Sequence, residues 1–161
     1  MITRKRLIAS VMAAAMFTMS VAMGQSQGPV KGDLAGSWRV TVTLGPNRPP
    51  NAPETVEALA TYDSSGGYLF TDNDPGPAGH GSWESAGHRR FNATHLRFLL
   101  DPMGHLFATL RVRARITLGP NSDEFTTREK VEIRLFPSDF LLASYDGATS
   151  VGRRIRVEPI E

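Results

Sequence analysis

The sequence predicts an all-β protein, an antiparallel up-and-down barrel of about eight or nine strands. Apolar and polar residues alternate in most segments of the chain, as they do in strands with one buried face. Turn residues separate these segments at intervals of about 8 to 14 residues, and no segment has the spacing of an amphipathic helix. Short turns between successive strands favour a meander, and about eight strands favour closure. A two-sheet sandwich is the alternative that this pattern leaves open.

The longest alternating stretch runs from His105 to Leu118. Its even positions are all apolar, and its odd positions are polar except for Phe107. A strand of this length exceeds the usual five or six residues, so we expect it to bend or bulge and to pair with two neighbours. Arginines at positions 111, 113 and 115 share its solvated face, where like charges repel unless acids lie opposite. The candidate acids on the next strand are Glu124, Glu129 and Glu132.

The remaining strands follow the same alternation between turn signals. They are predicted, in order, at Ser37–Leu44, Glu54–Tyr62, Tyr68–Thr71, His80–Ser85, Arg89–Asp101, Glu124–Phe136, Phe140–Tyr145 and about Ser150–Val157. The Pro-rich stretch 45–53 and the Gly- and Pro-rich stretch 72–79 interrupt the pattern, because proline cannot donate to a ladder. We expect both as open loops that frame a barrel mouth. The dipeptide Asp146-Gly147 is a turn signal and separates the last two predicted strands.

The N-terminal residues are predicted to direct export rather than to join the fold. Residues 4–6 are basic, residues 7–23 are apolar and uncharged, and small side chains follow at the end of this run. This is the pattern of a secretory signal peptide, here residues 1–24, and a membrane anchor is the alternative. Residues 25–32 read as a flexible leader and residues 33–161 as the barrel domain. The protein is therefore expected to be secreted or periplasmic, with no stable membrane anchor after cleavage.

Charge and cysteine content restrict the function further. The chain has a formal net charge of +2, and three of its positive charges lie in the predicted signal peptide, which leaves −1 on the remainder. A nucleic-acid-binding surface needs a net basic face with aromatic platforms, so we expect no nucleic-acid partner. The chain has no cysteine, which excludes thiol chemistry, disulfides and cysteine metal sites.

The triplet Gly-Ser-Trp at residues 36–38 opens the first predicted strand. It resembles the glycine–any–tryptophan signature on the first strand of lipocalins and the wider calycin group. In that family the tryptophan, here Trp38, closes one end of the barrel, and a late arginine packs across its indole. The resemblance implies a ligand cavity but no particular ligand. This chain departs from the family in being short and in lacking a C-terminal helix and a disulfide. The arginines that are similarly placed are Arg153, Arg154 and Arg156, of which Arg154 is our candidate.

Two basic residues within a predicted strand are the first candidates for ligand binding. If His95 and Arg97 face the lumen, they form a cation pair that could orient an anionic head group such as a carboxylate. If they face outward, they are ordinary surface residues; apolar side chains occur on both faces of 89–101, so the sequence does not decide. Tyr145 and Trp83 are further candidates for the lining. The leading hypothesis is an exported lipocalin-like barrel that binds a small apolar or amphipathic molecule.

Two other functions remain open at this point. The chain resembles, more loosely, compact barrels of the allene-oxide-cyclase-like group, which implies a cyclase or isomerase acting on an apolar substrate. A filled barrel acting as an envelope interaction module is the third hypothesis. The sequence contains no catalytic signature and no cofactor fingerprint, so no catalytic residue or cofactor is assigned. The closest group to a metal site combines His80 and His88 with Asp72 and Asp74, but its spacing matches no known motif and we predict no metal.

Overall fold

The computed structural model describes residues 34–48, 50, 52–73 and 76–160. Eight strands follow one another: β1 Gly36–Thr43, β2 Thr55–Tyr62, β3 Gly67–Asp72, β4 Gly79–Ser85, β5 Arg90–Leu100, β6 Leu106–Leu118, β7 Glu124–Leu135 and β8 Leu141–Arg154. Each strand pairs antiparallel with the next, and β8 pairs with β1 to close the barrel. The predicted all-β up-and-down barrel is therefore confirmed, and the architecture is consistent with that of a lipocalin.

The predictions made for the N-terminal residues concern a part of the chain that the structure does not describe. The predicted signal peptide (residues 1–24) and leader (residues 25–32) lie outside the described residues. Within the described ranges, no helix has the length and apolar character needed to cross a bilayer.

The long strand β6 pairs along most of its length with two neighbours, as expected from its length. Its partners are β5 on one side and β7 on the other. A bulge interrupts the β5–β6 register between Leu99 and Leu100. A bulge of this kind increases the local twist, which helps a long strand to curve around a barrel.

The prediction of two separate strands at the C-terminal end is wrong. A single strand, β8, runs through Asp146-Gly147. Glu129 pairs with Ala148 and Lys130 pairs with Asp146, so Gly147, with φ of 93°, is left over as a bulge. The Asp-Gly signal was misread because a left-handed glycine suits a bulge as well as a hairpin turn.

The strand connections divide the barrel into two ends. The described residues of 44–54 and of 73–78, together with the segments 101–105 and 136–140, lie at one end, here called the open end. The segments 63–66, 86–89 and 119–123 lie at the other, here called the closed end, together with the two chain termini of the barrel. The Pro-rich and Gly-rich loops predicted at a mouth thus both belong to the open end.

Trp38 fills the closed end. Its side chain is fully buried, and its Nε1 donates a hydrogen bond to the carbonyl of Leu34 at 3.0 Å. The ring of Phe125 meets it edge-on with centroids 4.8 Å apart. Further aromatic contacts extend this packing across the barrel through Tyr62, Trp83 and Phe91. Because the chain has no cysteine, the barrel closed by the β1–β8 ladder is stabilised by packing of this aromatic layer and of the other inward side chains rather than by a disulfide.

Arg154 lies on the indole of Trp38, as the resemblance implies. Its guanidinium carbon is 4.2 Å from the ring centroid, a cation–π contact worth about 0.5–2 kcal/mol. The same guanidinium donates to the carbonyls of Ala35 at 2.7 Å and of Ser122 at 3.0 Å, so it ties both termini of the barrel to the β6–β7 turn. Gly36 has φ of 135°, and a Cβ there would lie 2.5 Å from Arg154 Nη1, which explains a glycine two residues before Trp38.

The three arginines of β6 face outward, and of the proposed acids only Glu132 forms ion pairs with any of them, namely Arg111 and Arg113. Glu132 pairs across strands with Arg111 and forms ion pairs with Arg111, Arg113 and Arg134. Glu124 instead contacts Arg153 at 3.3 Å. Glu129 was wrongly expected beside the arginines: it lies on the inward face of β7, where it lines the barrel interior.

Candidate functional site

A cavity of about 100 Å³ occupies the interior between the closed-end aromatic layer and the open end. Its floor includes Tyr62 and Phe125, and much of its wall is aliphatic. The aliphatic lining consists of Val40, Val42, Leu44, Val56, Leu110, Val112, Ala114, Val131 and Ala148. The polar lining consists of Asp72, His95, Arg97, Thr127, Glu129, Tyr145 and Ser150. An apolar wall with a few converging polar groups is the usual composition of a small-molecule site.

The structure decides which face of β5 points inward. His95 and Arg97 lie inside the barrel at 5% and 6% exposure. The apolar residues of the opposite face, at positions 96, 98 and 100, are exposed on the outside. Two neighbouring positions on β4, Gly79 and Gly81, face these polar side chains without side chains of their own. The absence of side chains at these two glycines of β4 therefore leaves room for an imidazole and a guanidinium inside the barrel.

Arg97 is held at the open end by a carboxylate. Its Nη1 lies 2.5 Å from Asp72 Oδ2 on β3, and both side chains are largely buried. The loop after β3 passes close by, since a Cβ on Gly76 would lie 2.6 Å from Arg97 Nη2. A buried ion pair of this kind is costly to break, because the remaining charge would be left without its partner. Arg97 thus fixes the rim of the cavity.

His95 is packed among rings rather than exposed to an anion. Its ring stacks on Phe70 with centroids 4.9 Å apart and meets Tyr68 edge-on at 5.2 Å. Burial, and to a lesser extent the charge of Arg97, lower the pKa of His95 to about 4. The imidazole is therefore neutral at pH 7. The expected cation pair of His95 and Arg97 is wrong on this point, because one member is uncharged and the other is paired with Asp72.

The depressed pKa of His95 predicts acid sensitivity of the fold. Between pH 6.5 and about 4 the unfolded chain binds a proton at His95 that the folded chain does not, so stability rises with pH in this window. As the pH falls from 7 to 4, we expect the wild type to lose up to roughly 3 kcal/mol more stability than His95→Phe, which keeps a stacked ring but cannot titrate. Urea unfolding at several pH values measures this difference. The same replacement at the exposed His105 should follow the wild type; equal pH profiles for His95→Phe and the wild type would contradict the prediction.

Glu129 is the interior residue that the sequence interpretation missed. Its Oε1 accepts hydrogen bonds from Thr127 Oγ1 at 2.7 Å and from Ser150 Oγ at 2.6 Å. The sequence contains a signal for it, because residue 129 has the same parity as the apolar residues Val131 and Ile133. We placed it outside because the arginines of β6 needed acidic partners. The parity of the strand was the better guide.

Two tyrosines, Tyr62 and Tyr68, lie near this carboxylate, and a third, Tyr145, lines the same cavity. Tyr62 and Tyr68 are stacked with centroids 4.4 Å apart. Burial raises the pKa of both phenols, and the negative charge of Glu129 contributes to the rise. Burial also raises the pKa of Tyr145, which lines the cavity from β8. These phenols are therefore neutral at pH 7.

The other residues considered from the sequence lie apart from the cavity. Trp83 packs on Tyr62 and Phe91 near the closed end, and its Nε1 donates to the carbonyl of Asp63 at 2.9 Å.

His80 points outward from β4, and His88 lies in the turn between β4 and β5 at the closed end. Asp74 lies outside the described residues. Across the described ranges, no group of three or more His, Asp or Glu side chains is arranged to hold a metal ion.

The arrangement can bind a small molecule between an aliphatic wall and three separate polar features: the Arg97–Asp72 pair at the rim, the neutral imidazole of His95, and the carboxylate of Glu129. These lie in successive positions down the barrel, since Arg97 aligns with Leu110, His95 with Val112 and Glu129 with Ala114 on β6. Compared with known proteins, the chain matches no family model, no curated sequence and no solved structure.

Proposed function

We propose that this protein is a lipocalin-like carrier that binds a small apolar or amphipathic molecule inside its barrel. The observation that supports the proposal is the interior cavity, which combines an aliphatic wall with polar groups at defined levels. A barrel filled to native density would leave no such space. Because the N-terminal residues have the pattern of a signal peptide, the proposal places this binding outside the cytoplasm.

The size of the cavity restricts the ligand. Pockets for drug-sized molecules measure about 300–1,000 Å³, whereas a cavity of about 150 Å³ is enough to bind benzene. A space of about 100 Å³ therefore suits a ligand of a few heavy atoms, or the end group of a longer molecule that enters from the open end. Short branched or small cyclic molecules are the natural probes, rather than long-chain fatty acids or retinoids.

Filling the cavity should abolish binding without harming the fold. Ala114 lines the cavity from the middle of β6, so Ala114→Leu adds three carbons to the empty space. We expect saturable binding of small branched alcohols to the wild type and at least a tenfold loss in Ala114→Leu, with thermal stability kept or raised because a void is filled. NMR titration of the protein with each probe measures the affinity.

The matched control is Thr117→Leu, which adds carbons to an exposed position on the outer face of the same strand. This variant should bind the probes as the wild type does. Binding that survives unchanged in Ala114→Leu would place the ligand elsewhere and refute the proposal. Failure of every small probe to saturate the wild type would refute it as well.

A specific observation also favours the second candidate, a cyclase or isomerase. Glu129 and the neutral His95 face one apolar cavity, and a carboxylate with an imidazole is common equipment for moving protons on a substrate. The two functions differ in the state of the recovered ligand. A carrier releases its ligand unchanged, whereas an isomerase releases a rearranged product, so mass and NMR spectra of bound and released ligand separate them.

A further inference from the structure

The carboxylate of Glu129 lies at the level of the cavity where the side chains around it are shortest. In the strand register Glu129 pairs with Ala114 on one side and Ala148 on the other, and Ala114 pairs in turn with Ala93. Because these three paired neighbours are alanines, no long side chain next to Glu129 in the strand register covers its carboxylate. The carboxylate therefore faces open space within the barrel, not a packed wall.

Half of this carboxylate is satisfied by the protein. Both recorded hydrogen bonds, from Thr127 and Ser150, end on Oε1. In the described part of the chain, no donor reaches Oε2 and no cation forms an ion pair with Glu129. A carboxylate offers about four acceptor positions on its two oxygens, so acceptor capacity remains on Oε2 of this cavity-lining residue.

The charged groups of the interior do not balance. Arg97 is paired with Asp72, and it aligns through Leu110 with Ile133, four residues along β7 from Glu129. Four residues of strand correspond to about 13 Å, too far for Arg97 to serve as the partner of Glu129. His95 is neutral at pH 7. The lining thus carries two carboxylates and one guanidinium, which leaves one formal negative charge at Glu129.

Aromatic rings stand near the same charge. Tyr62 and Tyr68 lie close enough for Glu129 to raise the pKa of both phenols, after the larger effect of burial. Phe125 belongs to the same cavity lining. Aromatic faces attract cations through their quadrupole, and a buried carboxylate is stabilised by a cation that hydrogen-bonds to it. The negative charge of Glu129 and the nearby aromatic rings therefore both favour a cationic ligand group.

We propose that the ligand of this barrel is a small aliphatic amine, which binds as an ammonium ion with its nitrogen on Glu129 and its carbon chain against the aliphatic wall. The inference rests on the proposed carrier function and names the chemical class of its ligand. It reverses the sequence-based expectation of an anionic head group, because the interior guanidinium is already paired and the interior carboxylate at Glu129 is not. Neutral alcohols, which can also donate to Oε2, are the competing ligands.

Three probes with the same branched skeleton test this proposal: isobutylamine, isobutanol and isobutyrate, titrated into the full protein at pH 7 and low salt by NMR. We expect isobutylamine to bind at least tenfold more tightly than isobutanol, and isobutyrate to bind more weakly than either. In Glu129→Gln the ratio of amine to alcohol affinity should fall close to one. The control Glu124→Gln, an exposed carboxylate on the same strand, should leave this ratio as in the wild type.

The outcomes separate this inference from the carrier function itself. Equal affinities for amine and alcohol, or tightest binding of isobutyrate, would overturn the inference while the carrier function stands. A ratio that persists in Glu129→Gln would overturn it as well. If none of the three probes saturates the wild type, the carrier function fails first. Should Glu129→Gln not fold, the ranking of the three probes on the wild type decides alone.

Discussion

Gly81→Ala should lower the free energy of unfolding by about 4 kcal/mol or more, the upper range for a single substitution. Gly81 lies on β4 opposite His95, where the two strands approach each other closely. A Cβ at this position would overlap the backbone carbonyl oxygen of Thr94 and lie 2.6 Å from the Cα of His95. Backbone atoms of a paired strand cannot rotate away as a side chain can, so β4 and β5 would have to separate. Urea unfolding followed by circular dichroism measures the loss.

The neighbouring residue provides a matched control for this substitution. Ser82 faces outward and is exposed, so Ser82→Ala should change the free energy of unfolding by no more than about 0.5 kcal/mol. Gly79→Ala should fall between the two, because its Cβ would lie 2.9 Å from His95 Cδ2, a side-chain atom that can move. A Gly81→Ala protein within about 1 kcal/mol of the wild type would show that the close approach of the two strands is not required.

The barrel was predictable because its strands carry their pattern locally. Alternation gave most strand ends within one or two residues, and the short turns gave the meander. The exception was Gly147, where a turn signal stood for a bulge. Whether a glycine with positive φ reverses the chain or only adds a residue depends on the partner strand, here β7, which lies elsewhere in the sequence. Local sequence holds no record of that partner.

The inward face of β5 was not predictable for a different physical reason. Both faces of this strand carry apolar side chains. The sequence therefore shows that the faces alternate but does not show which of them points into the barrel. The choice depends on space inside the closed barrel. Gly79 and Gly81 on the neighbouring strand leave room for the two long polar side chains His95 and Arg97. Asp72, on the strand beyond, then supplies the charge that allows Arg97 to be buried.

The interior carboxylate was predictable and was still missed. Glu129 has the parity of the inward residues of β7. Our interpretation placed it on the outer face only because the arginines of β6 were expected to have acidic partners there. Glu132 alone forms ion pairs with two of these arginines, Arg111 and Arg113, and with Arg134 on its own strand. Strand parity decides which face every side chain of a strand occupies, whereas a charge pair involves only two side chains. The free energy that depends on parity is therefore the larger one when the two disagree.

Trp38→Ala should be nearly as damaging as the substitution of Gly81. Trp38 is fully buried at the closed end, where it contacts Phe125, Arg154 and the carbonyl of Leu34. Truncating a buried tryptophan costs about 3–5 kcal/mol through lost transfer free energy and the cavity that remains. A single domain is stable by only about 5–15 kcal/mol, so this loss is a large share of the total. Thermal and urea unfolding followed by far-ultraviolet circular dichroism, which does not depend on the removed indole, measure it.

A double-mutant cycle separates the ring contact from simple filling of space. Arg154→Met removes the cation and Trp38→Leu removes the aromatic face, so each single variant loses the contact and the double variant has nothing more to lose from it. If Arg154 stabilises the barrel through the face of the indole, the two single losses should add up to about 0.5–2 kcal/mol more than the loss in the double variant, the range of a cation–π contact. Purely additive losses would mean that Arg154 acts through its hydrogen bonds to Ala35 and Ser122 alone. In that case Trp38 would stabilise the closed end through its packing on Phe125 and its hydrogen bond to Leu34, independently of the charge of Arg154.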